Sequence, residues 1–303
     1  LLGDLHHPFF ASNWVIFAPS TKKSFMQKIL VTTDFSIHSK AGMRFAIQLA
    51  AQKKVELVFF HCFQALIPTT VFRERIEKSL ENQGDTFLKK LKKLVEGVYK
   101  SVNITPGNYR TVVIDDLNPG VMILDYAEKN SFSFICMSTR GAGQLRKIMG
   151  TNTSNIILKS AVPVLAIPHT YRIHPIKKIL YASDLENLDQ QMQVISPLAE
   201  SLGAKVDLAN FFNQVSMKLD ARTLSEMWQK KYPELDNVIM QQLDTTSGFA
   251  AQLDVLSKKL KPDMVVFFRN VNKTWFDKVF SVSRSETFSF ISKVPMLVYR
   301  KSS

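Results

Sequence analysis

The chain repeats itself, and that repeat limits its possible folds more than any other feature. Lys28-Ile-Leu-Val-Thr-Thr-Asp34 returns as Lys178-Ile-Leu-Tyr-Ala-Ser-Asp184, 150 residues later. Val162-Pro-Val-Leu-Ala-Ile167 returns as Val294-Pro-Met-Leu-Val-Tyr299, 132 residues later. The first pair opens a unit and the second closes one, so a duplication organises the chain. It divides into a domain over 26–170 and a related one over 171–303. The connector His169-Thr-Tyr-Arg-Ile-His-Pro175 is short, which implies units packed side by side. A total of 303 residues agrees with two domains of ~100–200 residues each.

Residues 1–25 read as a segment outside both domains. Phe9 to Pro19 is mildly apolar, but no basic region precedes it and no small-residue cleavage site follows, as a signal peptide requires. Met26 immediately precedes the first strand and is read as the natural start.

Within the first unit, short apolar runs rich in Val, Ile and Phe alternate with segments of helical period. Strands are expected at 28–33, 56–62, 109–114, 133–138 and 163–167. Their uniform apolarity is that of parallel strands buried on both faces. Helices are expected at 39–52, 70–100, 119–130 and 151–160, with Asn118-Pro119 as N-cap and first helical residue. The second unit repeats this, with strands near 178–183, 205–211, 237–242, 263–268 and 295–299. Its helices are expected near 187–202, 217–231, 247–260 and 283–292. The pattern specifies two doubly wound α/β units with right-handed crossovers. Ligands in such sheets bind beyond the carboxyl ends of the strands, where strand order reverses.

Hydrophobic residues make up 46% of the chain and charged residues 21%, which excludes a disordered or collagenous chain. Cys62 and Cys136 are the two cysteines; both lie in apolar runs, which excludes a thiolate zinc site and a disulfide framework and suits a reducing, cytoplasmic setting. No apolar run approaches the ~20 residues of a membrane helix, so no membrane association is expected. The net charge is +13, which invites polyanionic partners without choosing among them. Residues 1–170 carry 21 basic and 12 acidic residues, or +9, leaving +4 for 171–303. Part of the excess is Lys89, Lys90, Lys92 and Lys93, read as the solvated face of one long helix. No aromatic stacking platform or helix-turn-helix pattern accompanies the charge, so nucleic acid is not an expected partner.

Two segments of the first unit can carry chemistry. Asp34, in Thr33-Asp34-Phe35-Ser36, can accept a hydrogen bond from an amine or cap the next helix. Met137 to Thr153 follows strand four and enters a helix at Gly150-Thr151. Its glycines let backbone N–H groups approach an anion, the helix N-terminus adds free donors, and Arg140, Arg146 and Lys147 add charge. The alternative is an ordinary glycine loop. No Walker A, GxSxG, HExxH or paired-cysteine motif occurs. His61, ending strand two, is read as structural or cleft-lining rather than catalytic.

With these segments in view, residues 26–300 resemble a tandem universal stress protein. The resemblance rests on the strand ending Thr-Asp-Phe-Ser, His61, the loop from Met137 to Asn152 and the closing Val-Pro-Val-Leu strand. It implies five-stranded parallel sheets of order 3-2-1-4-5, paired through their last strands as an intrachain pseudo-dimer, with homo-oligomers left open. It implies ATP or a related adenine nucleotide, with Mg²⁺, in the first domain. Asp34 and Cys62 would then line the base pocket, and Met137 and Ser138 would lie near the ribose. Arg140, Gly141, Gly143, Gly150, Thr151 and Asn152 would surround the phosphates. Two departures stand out: Ser138 replaces the first glycine of the family pattern, and eight residues separate Gly141 from Gly150 where the family has nine.

The second unit departs further. Phe268, Val271 and Ser281 stand where glycines belong, so this unit is expected to be structural and to hold no nucleotide. Asp184 is read as a helix cap. The expected function is nucleotide binding in a cytoplasmic stress response, with an unidentified protein partner. The alternative is a nucleotide-free adaptor acting through protein contacts. No general base is evident near the phosphate loop, so no enzymatic activity is expected, with a slow ATPase as the nearest exception.

Overall fold

The structure is a computed structural model, described here for residues 28–52, 55–65, 73–140, 151–212, 221–242, 248–269 and 293–301. The segment 1–25, the body of the glycine loop (141–150) and the expected helix at 283–292 lie outside the described residues.

The first half runs β1 (Lys28–Thr32), α1 (Lys40–Gln52), β2 (Glu56–Phe63), α2 (Arg73–Val102) and β3 (Tyr109–Asp115). It continues with α3 (Pro119–Lys129), β4 (Phe134–Ser138), α4 (Thr151–Lys159) and β5 (Val164–Ile167). The second half runs β6 (Lys178–Ser183), α5 (Leu188–Leu202), β7 (Lys205–Phe212), α6 (Ala221–Lys231) and β8 (Leu235–Gln242). It ends with α7 (Gly248–Leu260), β9 (Met264–Arg269) and β10 (Met296–Arg300). Every one of these elements falls within a few residues of its expected place.

The strands form one continuous sheet in the order β3-β2-β1-β4-β5-β10-β9-β6-β7-β8. Each half contributes a parallel sheet of order 3-2-1-4-5. The halves join through antiparallel pairing of β5 with β10, Val164 opposite Val298 and Ala166 opposite Met296. The last-strand pairing that the resemblance assigns to a pseudo-dimer is therefore made within one chain. Arg269, buried at the end of β9, ties the seam further by donating Nη2 to the Ser160 carbonyl at 2.6 Å.

Alternation along the strands divides the core into two layers. Ile29, Val31, Leu57 and Phe59 face α1 and α2, while Leu30, Val58 and Phe60 face the opposite layer with Ile123 of α3 and Ile156 of α4. α5 joins the first layer through Met192 and Ile195, and α7 the second through Leu253 and Leu256. Asn118 caps α3 as expected, its side chain accepting from the Val121 N–H at 3.2 Å. Lys89, Lys90, Lys92 and Lys93 are exposed along α2, a solvated face.

The connector is held rather than loose. Tyr171 is buried and donates its hydroxyl to Gln48 Oε1 of α1 at 2.6 Å. Asp263 Oδ2 accepts the backbone N–H groups of Lys177 and Lys178 at 2.8 and 2.9 Å.

Candidate functional site

The order 3-2-1-4-5 reverses between β1 and β4, so the carboxyl ends of these two strands flank the opening of the first half. Thr32 pairs with Phe60 and Val31 with Cys136. Extending that register sets Asp34 level with Cys62, and Thr33 level with Ser138. Asp34, Cys62, Met137, Ser138 and Arg140 thus share one edge of the sheet, and α4 starts from the same edge at Thr151.

Local chemistry fixes the turn that carries Asp34. Its Oδ1 accepts the Ser36 N–H at 3.0 Å, and Thr33 Oγ1 accepts the Phe35 N–H at 3.1 Å. These bonds hold Phe35 at φ 63°, a left-handed conformation that costs an L-residue ~1–2 kcal/mol. Ser36 Oγ accepts the Ser39 N–H at 3.1 Å ahead of α1. The Asp34 side chain itself is exposed.

His61 is buried, and its Nδ1 lies 2.8 Å from the Thr33 carbonyl oxygen. Burial lowers its pKa, so the ring is held neutral, with Nδ1 as the donor. Its ring packs on Phe35 and Phe87, with centroids at 4.2 and 5.3 Å. Cys62 points into the opposite layer, with its thiol 3.6 Å from the Asp116 carbonyl. Burial and the adjacent Asp116 push that thiol up to about 11. His61 Nδ1 and the Cys62 thiol are therefore both protonated and engaged with backbone carbonyls.

Met137 is buried, and Ser138 turns its hydroxyl to the Ile167 carbonyl at 3.3 Å. Thr153, which sequence reasoning passed over, donates from Oγ1 to the Ser138 carbonyl at 3.1 Å and so fixes the first turn of α4 against β4. Asn152 is exposed beside it, and Arg140 is half-buried. Gly141, Gly143 and Gly150 lie outside the described residues. Among the described residues no group of three or more His, Cys, Asp or Glu side chains is placed to hold a metal ion.

His38, in the β1–α1 turn, and His169, just after β5, also reach this edge, with ring centroids 5.3 Å apart. Nothing in their local sequence marks them. Aligning the two repeats offers a signal for the second, because His169 corresponds to Lys301.

The second half builds the same turn. Ser183 Oγ accepts the Leu185 N–H at 3.0 Å, Asp184 Oδ1 accepts the Glu186 N–H at 3.1 Å, and Leu185 has φ 62°. Asp184 is not the helix cap that the sequence suggests: Asn187 is the N-cap of α5. Asp184 instead fixes the turn and pairs with the ammonium of Lys301, which also lies 3.3 Å from Glu186 Oε2. Phe268 stands level with the place of Ser138 and stacks on Tyr299, with centroids at 4.9 Å.

The sequence over residues 26–168 matches the model of the Universal stress protein family. Among solved structures, a universal stress protein from Archaeoglobus fulgidus DSM 4304 superposes with a TM-score of 0.66 at 16% identity, covering 93% of this chain and 100% of that one. A functionally unknown protein, PA1789 from Pseudomonas aeruginosa PAO1, superposes with a TM-score of 0.60 at 15% identity, covering 91% of this chain and 92% of that one. Both likenesses are of fold. No curated protein matches the sequence. Among the described residues no helix is long and apolar enough to cross a membrane. Over residues 26–168 the chain therefore belongs to the universal stress protein family, and its second half repeats the topology of the first.

Proposed function

We propose that this protein acts in a cytoplasmic stress response by binding ATP or a related adenine nucleotide in its first half, while the second half is structural. The observation that carries this reading is the register that gathers Asp34, Cys62, Met137 and Ser138 at the β1/β4 reversal, beside the start of α4. The family resemblance assigns base and ribose contacts to these positions. Any Mg²⁺ would enter on the nucleotide's phosphates. In the second half, the Lys301 ammonium and the Phe268–Tyr299 stack occupy the corresponding edge, which supports a nucleotide-free role there. Nucleotide binding would act by biasing the protein toward one conformation or one partner, without turnover.

Mass spectrometry of the purified protein for co-eluting nucleotide, with a thermal shift on adding ATP and Mg²⁺, tests this. No nucleotide and no shift at millimolar ATP would refute it.

A second reading is a nucleotide-free adaptor. Ile37 and Leu117, in the turns after β1 and β3, are 75% and 79% exposed, and Val121 in the first turn of α3 is 56% exposed. Apolar side chains presented at a loop edge favour a protein partner. Partner capture unaffected by Gly150→Asp, from a protein that carries no nucleotide, would support this reading.

A further inference from the structure

His169 follows β5 as Lys301 follows β10, and the repeat makes them counterparts. The two halves use this position in opposite ways. In the second half, the Lys301 side chain is 5% exposed and its ammonium bridges two carboxylates of the β6–α5 turn, Asp184 and Glu186. The cation beyond the fifth strand meets an anion supplied by the chain. In the first half the counterpart of Glu186 is Ser36. His169 meets the edge of His38 instead. Burial, Arg140 at the end of β4, and His38 all lower the His169 pKa. Among the described residues no carboxylate acts on it; Asp34, the counterpart of Asp184, acts on His61. Among the described residues, α1 adds Lys40 in its first turn and Arg44, the latter directed at the Tyr171 carbonyl. In the connector, His174 takes up Asp263 at 3.3 Å. Among the described residues, basic groups converge here without a counterpart of the Glu186 carboxylate.

We propose that Arg140, His38 and His169 form a proton-gated subsite for a phosphate group, with the external anion standing where the second half carries Glu186. A bound dianion offsets the repulsion that opposes charging His169 beside Arg140. Binding therefore takes up protons, and affinity rises as pH falls through the histidine range. The inference rests on the nucleotide reading only for the source of the phosphate, which is either the nucleotide's terminal phosphate or free inorganic phosphate.

Sulfate keeps a constant charge across this range, so its pH dependence reports on the protein. Calorimetric titration of the full chain with sulfate at about pH 6 and about pH 8 is expected to give roughly tenfold tighter binding at the lower pH. The paired substitution His38→Gln with His169→Gln removes that difference, so that sulfate binds the variant equally at both pH values. Arg140→Gln weakens binding at both. No sulfate binding, pH-independent binding, or the same pH dependence in the paired variant overturns the proposal. Competition by ATP identifies the nucleotide's terminal phosphate as the source, and ATP binding beside retained sulfate identifies free phosphate. Proton-gated sulfate binding with neither ATP nor adenosine bound upholds the subsite and refutes the nucleotide reading alone.

Discussion

His61 Nδ1 lies 2.8 Å from the carbonyl oxygen of Thr33, at the point where the first strand leaves the sheet. The second half makes the same bond with a different side chain, since Asn210 Nδ2 donates to the Ser183 carbonyl at 3.0 Å. A buried carbonyl at this place needs a donor, and the duplication has met that need twice. His61→Asn is therefore expected to hold stability within about 0.5 kcal/mol of the wild type, while His61→Leu, which strands the carbonyl, costs about 1–3 kcal/mol. Urea unfolding of both variants measures the difference. A leucine variant as stable as the asparagine one would refute the role.

The same ring gives a pH dependence with a definite sign. Burial is the largest cause lowering the His61 pKa, so the unfolded state binds its proton more readily than the folded state. The stability held by the neutral ring is complete above the unfolded histidine pKa of about 6.5. It is lost as pH falls from there toward the lowered folded value. Wild type should lose more stability than His61→Asn between about pH 7 and pH 5, as urea midpoints across that range would report.

Much of this architecture is legible in the sequence for physical reasons. Parallel strands buried on both faces produce uninterrupted apolar runs, and β1, β4 and β9 fall within one residue of the limits those runs set. Asn118-Pro119 is a local signal with a local outcome. The turn after β6 is different: Asp184 looks like a cap by position, but its partner Lys301 is 117 residues away, and no local pattern encodes that pair. The convergence of His38, His169 and Arg140 is invisible for the same reason, because it comes from the ends of β1, β4 and β5 meeting at one edge.

Gly42 of α1 is a packing glycine. A Cβ there would stand 3.1 Å from both the carbonyl carbon of Met137 and the backbone nitrogen of Ser138. Backbone of a central strand cannot yield cheaply. Gly42→Ala gains about 1 kcal/mol of helix propensity against an overpacking cost of about 1–3 kcal/mol. The net outcome is a loss of stability, with β4 displaced at the residues proposed to meet the ribose. Chemical shifts of Met137 and Ser138, together with the urea midpoint, check both effects. An unchanged or raised midpoint would show that the helix simply moves away.

The thiols are expected to be slow to react. Cys136 is fully buried, and burial raises its pKa strongly; Cys62 is pushed up to about 11. At about pH 8 the Cys62 thiolate fraction is then on the order of a hundredfold below that of a free cysteine. Iodoacetamide labelling followed by mass spectrometry should show little modification of the native protein and rapid modification of both sites in urea. Fast native labelling at Cys62 would mean that its bond to the Asp116 carbonyl opens readily.

Lys301 is the strongest test of the idea that the second half closes on itself. Its side chain is nearly buried, whereas Asp184 and Glu186 remain 36% and 52% exposed. Lys301→Met keeps the apolar stem and removes the charge, and the carboxylates left behind can still hydrate. The expected cost is therefore about 1–2 kcal/mol, below the 3–5 kcal/mol of a pair buried on both sides. Asp184→Asn should cost less, because an amide oxygen can still accept the Glu186 N–H that fixes the turn. In a double-mutant cycle the two substitutions are expected to couple by about 1 kcal/mol. Additive effects would show that Lys301 contributes packing alone, and the contrast between a self-satisfied second half and an open first half would then lose its electrostatic basis.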